Sequence, residues 1–185
     1  MTELREPVRI RDFSARSEPV IPADKAMPEI EPNVLATLEF DIATSAGPVH
    51  AELGFHYKPS WIEETFDHDI VLKLSIQGEE VAHYSAVMKT EYHPLVFDLR
   101  NREVHKGFRG RGLGTLGLQV MHEAVQNYVD KYLKGRCKGI IMNIGQPSLT
   151  RLVIDQNWLD EQGLSGYKRS DGVNLGYRPH KKRNT

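Results

Sequence analysis

The chain has 185 residues, enough for one domain with a real core, and its apolar and charged fractions of 39% and 26% suit a soluble globular protein. A formal net charge of -1 gives no general reason to bind nucleic acid, and the single cysteine, Cys137, excludes an intramolecular disulfide framework and a cysteine-based zinc site. No window approaches the apolar length that spans a membrane, and the charged stretch from Met1 to Ser17 lacks a signal-peptide core, so a reducing, cytoplasmic setting is expected.

Residues 1–33 carry five of the ten prolines, at Pro7, Pro19, Pro22, Pro28 and Pro32, mixed with charge. Such a segment cannot hold a regular helix and has little to bury, so it reads as a flexible or surface-draped arm. The domain proper is expected over residues 34–178, followed by a basic tail, residues 179–185. Val34 to Ile42 and Val49 to Tyr57 read as two strands joined by the turn residues Ser45-Ala46-Gly47-Pro48. Pro59 to Phe66 suits a short helix. Asp69 to Ile76 alternates as a strand, Gln77-Gly78-Glu79-Glu80 turns, and Val81 to Tyr92 and Leu95 to Val104 read as further strands. Neighbours in sequence then pair in space, giving an antiparallel meander.

From Leu113 to about Leu133, apolar residues recur at helical spacing, with Leu116, Val120, Met121, Ala124, Tyr128 and Tyr132 on one face. Gln119, His122, Glu123, Gln126, Asp130 and Lys131 take the other face. Gly135 ends the helix, and Lys138 to Ile144 reads as a buried strand, so strand, helix and strand imply a parallel pair. A helix from Pro147 to Asp155 and two last strands, Gly163 to Ser170 and Val173 to Arg178, complete an α/β (α+β) fold with a mixed, mostly antiparallel central sheet.

Between the strand ending at Val104 and the long helix lies His105-Lys106-Gly107-Phe108-Arg109-Gly110-Arg111-Gly112-Leu113-Gly114-Thr115. Four glycines in eight residues leave backbone amides unobstructed, and the loop runs directly into a helix N-terminus. Bare N–H groups at the positive end of a helix dipole bind phosphate or pyrophosphate. No Gly-Lys-Ser/Thr ends the loop, which excludes a Walker motif, and the glycine spacing does not fit the dinucleotide fingerprint. The eight histidines form no helical pair and no cluster with cysteine, so no metal is expected.

Arg109-Gly110-Arg111-Gly112-Leu113-Gly114, set between a strand and a long helix, resembles the acyl-CoA-binding loop of the GNAT acetyltransferase superfamily, Arg/Gln-x-x-Gly-x-Gly/Ala. Phe108 before the arginine, Asn143 at the next strand's end and Gly166-Tyr167 further on extend the resemblance over roughly residues 95–170. It implies a GNAT-like fold and an acyl-CoA-dependent N-acetyltransferase that moves an acetyl group from acetyl-CoA to an amine. The alternative is a non-catalytic GNAT-like module that binds CoA or another protein.

Carried over by position, the resemblance implies a pyrophosphate cradle of Arg109, Gly110, Arg111, Gly112, Leu113 and Gly114, with Thr115 in the first helical turn. Lys106 and Arg111 add charge. Val104, His105 and Lys106 would offer backbone groups to the pantetheine arm, which Asn143 would face unless it only caps its strand. In some members a carboxylate near the start of this strand serves as base; Asp98 holds about that place, with Glu103 second and Glu91 weaker. The tyrosine acid of the family has no counterpart, since Leu149, Thr150, Arg151 and Leu152 stand there, and Ser148 or Thr150 could only relay a proton. The paired helices that usually wall the acceptor are also missing between residues 34 and 105. Implied partners are acetyl-CoA and an amine acceptor of unidentified class, with room for a homodimer and none for membrane or nucleic acid.

Overall fold

Alternating apolar residues and tight polar turns dictate most of the architecture. The computed structural model describes residues 12–59, 66–89, 96–133, 139–143, 165–168 and 174–179. Strands β1 (Ala36–Thr44), β2 (Gly47–Pro59), β3 (Phe66–Ile76), β4 (Glu79–Lys89) and β5 (Val96–Val104) form an antiparallel meander. Beyond β5 come β6 (Gly139–Asn143), β7 (Ser165–Lys168) and β8 (Asn174–Pro179), in the sheet order β1-β2-β3-β4-β5-β6-β8-β7. β6 runs parallel to β5, and the pairs β6–β8 and β8–β7 are antiparallel. The sheet is therefore mixed and mostly antiparallel, as the residue pattern predicts.

Two turns fix the register of the meander. Thr44 pairs with Gly47 across a two-residue turn, and its hydroxyl donates to the Gly47 carbonyl at 2.6 Å. Gln77 and Gly78 both have positive φ, +52° and +82°, the backbone hand that matches strand twist in a two-residue hairpin. With registers set, Val49, Ala51, Leu53 and Phe55 of β2, Ile70, Leu72 and Leu74 of β3, Ala82, Tyr84, Ala86 and Met88 of β4, and Phe97 and Leu99 of β5 are all buried. They share one face of the sheet.

The helix α1 (Leu113–Tyr128) packs on that face over β3, β4 and β5, and a π-helical turn, Val129–Leu133, continues it. Tyr128 closes the far end, with ring contacts to Phe55 and Phe97 and its hydroxyl 2.6 Å from Nδ1 of buried His68. One residue of the helix departs from the sequence pattern: His122, placed by periodicity on the polar face, is buried at 7% exposure. The sheet covers only one side of α1, and the N-terminal arm contributes Phe13, Val20 and Ile21 to the same core.

That arm, residues 12–33, runs alongside α1 in the same direction. Gln119 bonds Glu18, the Glu123 carboxylate accepts the backbone N–H groups of Val20 and Ile21 at 2.8 and 2.7 Å, and Lys131 reaches Glu29 and the Met27 carbonyl at 3.0 Å. Tyr132 donates to the Pro28 carbonyl. Prolines prevent the arm from forming a helix of its own but do not hinder an extended strap, whose backbone groups then need partners from elsewhere. Burying Phe13, Val20 and Ile21 contributes about 1.5–3 kcal/mol each. Of the short helix expected over Pro59 to Phe66, the two ends are strand instead, Pro59 closing β2 and Phe66 opening β3; residues 60–65 between them, and the helix from Pro147 to Asp155, lie outside the described residues.

Candidate functional site

Two features of β5 shape the region beside the glycine loop. Its parallel pairing with β6 runs from Val96↔Gly139 to Leu99↔Met142 and then stops. Among the described residues, no strand pairs with β5 on that side from Asn101 to Val104. An unpaired strand edge is a row of N–H and C=O groups ready for an extended ligand. At the same point β5 carries a bulge: Ser85 pairs with Asn101 and Ala86 with Leu99, which leaves Arg100 without a partner in the register.

The bulge changes which side chains face α1. Cross-strand partners share a face, so Arg102, paired with Tyr84, lies on the α1 side, and Glu103, paired with His83, on the other. Strict alternation from Phe97 and Leu99 would have sent Arg102 away from the helix. Tyr84 donates its hydroxyl to the Leu113 carbonyl at 3.0 Å, so this face leads directly to the first turn of α1. Burial pushes the Tyr84 phenol well above its usual value, opposed by the nearby charge of Arg102. Arg102 is thus a cation of the site that pattern reading missed; only the bulge reveals it, and a one-residue slip leaves no trace in composition.

The loop leaves β5 at His105, whose N–H donates to the Val81 carbonyl and whose carbonyl accepts from Phe108 across a 3-10 turn, Lys106–Phe108. Gly110 and Gly112 follow with φ of +78° and +100°. Gly112 is the N-cap of α1, with no side-chain cap and no acidic residue in the first turn. The first helical hydrogen bond is Leu116 N–H to the Gly112 carbonyl. The amides of Leu113, Gly114 and Thr115 precede it, the group that a helix leaves for a ligand or water. Gly114 has no backbone requirement for glycine, and nothing lies within 4 Å of where its Cβ would be. Glycine there weakens the helix without serving the packing.

The loop's arginines are already engaged. The Nε of Arg109 donates to the Val104 carbonyl at 2.9 Å, folding the side chain back over the end of β5. Arg111 holds Asp12 of the arm by two bonds, Nη2 to Oδ2 at 2.5 Å and Nε to Oδ1 at 3.3 Å. The hydrogen bond to Arg111 holds the Asp12 carboxyl below its usual range, and the same bond raises Arg111. Lys106 is exposed at the foot of the loop.

Of the remaining candidates, Asp98 sits one residue before the end of the β5–β6 pairing, opposite Val87 and Ile141. It lies on the face away from α1, and Arg100 Nε stands 3.3 Å from its carboxylate. Glu103 is exposed on the same face. Asn143 ends β6, in register with Leu175 of β8. Glu91, Ser148 and Thr150 lie outside the described residues. Among the described residues, no group of three His, Cys, Asp or Glu is placed to hold a metal, and no helix is long and apolar enough to cross a membrane.

No protein-family model and no curated protein sequence matches the chain. Among solved structures it is similar to a Desulfovibrio desulfuricans protein assigned to the GNAT family of acetyltransferases, at 12% identity and a TM-score of 0.45, over 61% of this chain and 69% of that one. Another similar structure is the toxin AtaT, as a point mutant, bound to the C-terminus of the antitoxin AtaR and acetyl-CoA, at 13% identity and a TM-score of 0.43, covering 60% of this chain and 67% of that one. An aminoglycoside 6'-N-acetyltransferase complexed with coenzyme A aligns over 63% of this chain and 76% of its own, at 15% identity and a TM-score of 0.38. Likeness at this level says nothing about activity, so function rests on the residues themselves.

Proposed function

We propose that the protein binds acetyl-CoA at the junction of β5 and α1 and transfers its acetyl group to an amine. The observation that carries the reading is the N-terminus of α1: an uncapped helix start with a glycine at 114 that neither backbone nor packing requires. A glycine that costs the helix stability is explained if a bulky anion must approach the backbone there. The backbone amides from Gly110 to Thr115 would hold the pyrophosphate. Lys106, the outer nitrogens of Arg109, and Arg102 would supply positive charge. The edge of β5 from Asn101 to Val104, which has no strand partner on that side among the described residues, begins beside this loop; apart from the Val104 carbonyl, which Arg109 already holds, it suits the amide groups of the pantetheine arm.

In the transfer, the neutral amine nitrogen attacks the thioester carbonyl carbon, the C–S bond breaks, and the thiolate departs. The proton shed by the amine passes to a base, the role proposed for Asp98, directly or through water. The Arg100 side chain competes for the lone pairs of Asp98, so the base role requires this ion pair to open or shift. The same ion pair favours a second reading, a module that binds acyl-CoA without turning it over.

Thermal denaturation with saturating acetyl-CoA tests binding, because a ligand of the native state raises the melting temperature. A panel of amines with mass detection of acetylated product tests transfer. The enzyme reading expects a shift, a product, and an Asp98→Asn variant that keeps the shift but loses most turnover. A shift with no product from any amine selects the binding module. Absence of a shift sinks both.

A further inference from the structure

The side chain of Arg111 would ordinarily be assigned to the phosphates, since it sits in the middle of the glycine loop. Its surroundings say otherwise. One edge of the guanidinium, Nε and Nη2, is taken by the Asp12 carboxylate. One face lies over the Phe13 ring, with the central carbon 4.5 Å from its centroid. The carbonyl of Arg111 accepts the Phe13 N–H at 3.1 Å. A carboxylate, an aromatic face and a backbone donor thus fix the residue on three sides, and all three come from two consecutive residues of the arm.

Those two residues are themselves well anchored. The Asp12 carbonyl accepts the Ala46 N–H at 2.9 Å, which ties the arm to the β1–β2 turn. Arg16 N–H bonds the Ala43 carbonyl, and Ala15 forms a bridge with Thr44. Phe13 is buried at 4% exposure, its ring 6.4 Å from that of Phe108 in the 3-10 turn before the loop. Further along, Glu123 pins Val20 and Ile21 to the helix that the loop opens. The arm therefore spans from the sheet to the loop and on to the helix.

We infer that Arg111 is the brace of the glycine loop rather than a phosphate ligand, and that Asp12 and Phe13 are positioning residues of the acyl-CoA site. The inference rests on the reading of the loop as a pyrophosphate cradle. Arg111 lies between two glycines at φ +78° and +100°, the least restrained residues in the loop. Clamping the residue between them limits the conformations open to both, so the amides from Gly110 to Thr115 are preorganised before an anion arrives. Preorganisation lowers the ordering cost of binding. It also gives the arm a use: without it the loop would have to be ordered by the ligand itself. The Asp12–Arg111 pair is charge-neutral, so the anion would be held mainly by backbone dipoles and by the other cations.

A charge exchange separates the two roles. Asp12→Arg, Arg111→Asp and the double exchange are compared with wild type by amide hydrogen exchange without ligand and by acetyl-CoA affinity. Each single change should speed exchange of the amides from Gly110 to Leu116 and weaken affinity, both by about 10-fold or more. The double exchange restores the ion pair with its charges reversed, and both readouts should return to within about threefold of wild type. If protection returns but affinity does not, Arg111 is a phosphate ligand and the inference is overturned. If neither returns, there is no brace. If wild type itself has no affinity for acetyl-CoA, the cradle reading fails, while hydrogen exchange still decides whether the pair holds the loop. Should a single exchange fail to fold, Arg111→Lys decides: it keeps the charge but loses the fork and the flat face, so loop protection and affinity should both fall. Wild-type values for that variant would overturn the brace.

Discussion

The ring of Tyr84 fills the space that a side chain at residue 117 would need: a Cβ built on Gly117 would lie 2.1 Å from Cζ and 2.6 Å from the hydroxyl oxygen. This contact sets the height of α1 above the sheet, and the Tyr84 hydroxyl then reaches the Leu113 carbonyl in the first turn. Gly117→Ala should therefore destabilise the fold by about 3 kcal/mol, at the upper end for overpacking because the obstructing atoms belong to a buried ring. Urea denaturation of Gly117→Ala in wild-type and Tyr84→Leu backgrounds checks this. The penalty should shrink sharply once the ring is gone. Equal penalties in both backgrounds would show that the ring is not the obstacle.

Much of the meander was legible because alternation and turn chemistry agree: Ile70, Leu72 and Leu74 read as one face, and Gln77-Gly78 as a turn. The order of strand, glycine loop and helix was legible for the same kind of reason, since a helical period follows the glycines directly. Two parts of the candidate site were not. The face of Arg102 depends on a bulge, a pairing slip that no residue type announces. The course of the arm depends on tertiary partners such as Glu123 and Arg111, more than ninety positions away in sequence from the residues they hold. Proline and charge describe what such a segment cannot do alone, not what a neighbouring helix can make of it.

Gly114 should show a trade between stability and binding. Its position in the first turn of α1 is open, so Gly114→Ala meets no clash and gains helix propensity worth up to about 1 kcal/mol. The unliganded variant should melt about 2–4 °C higher. On the cradle reading, its methyl group stands where the pyrophosphate approaches, and acetyl-CoA affinity should fall about 10-fold. Calorimetry with and without ligand measures both. A variant more stable and equally tight in binding would remove Gly114 from the site.

High pH should weaken the fold through two buried phenols. Burial raises both Tyr84 and Tyr128 above the usual value of 10.0, and for Tyr128 the neighbouring Tyr132, Tyr57 and Asp69 raise it further. Folding favours the neutral forms, so their contribution is intact below the unfolded value and is lost as pH rises past about 10. Each group adds up to about 1.4 kcal/mol of lost stability per pH unit in that window. Tyr84→Phe and Tyr128→Phe should each be less stable than wild type at pH 8, by about 1 kcal/mol, having lost a hydrogen bond to Leu113 or His68. Both should then lose less than wild type between about pH 9 and 11. Alkaline slopes identical to wild type in both variants would contradict the assignment.

Arg102 offers the sharpest test of the bulge. On the α1 face, opposite Tyr84 and beyond the last β6 pair, its guanidinium stands on the side of the sheet from which the α1 amides open. As a charge-assisted phosphate partner it should be worth about 10-fold in acetyl-CoA affinity, which Arg102→Ala should lose. Moving the arginine by one residue, with Asn101→Arg added to Arg102→Ala, keeps the net charge but places it on the opposite face with Ser85. Because a strand alternates its side chains, the relocated charge cannot reach the helix N-terminus, and affinity should stay low. Recovery of wild-type affinity in the relocated variant would mean that only the overall field matters and that the bulge aims nothing.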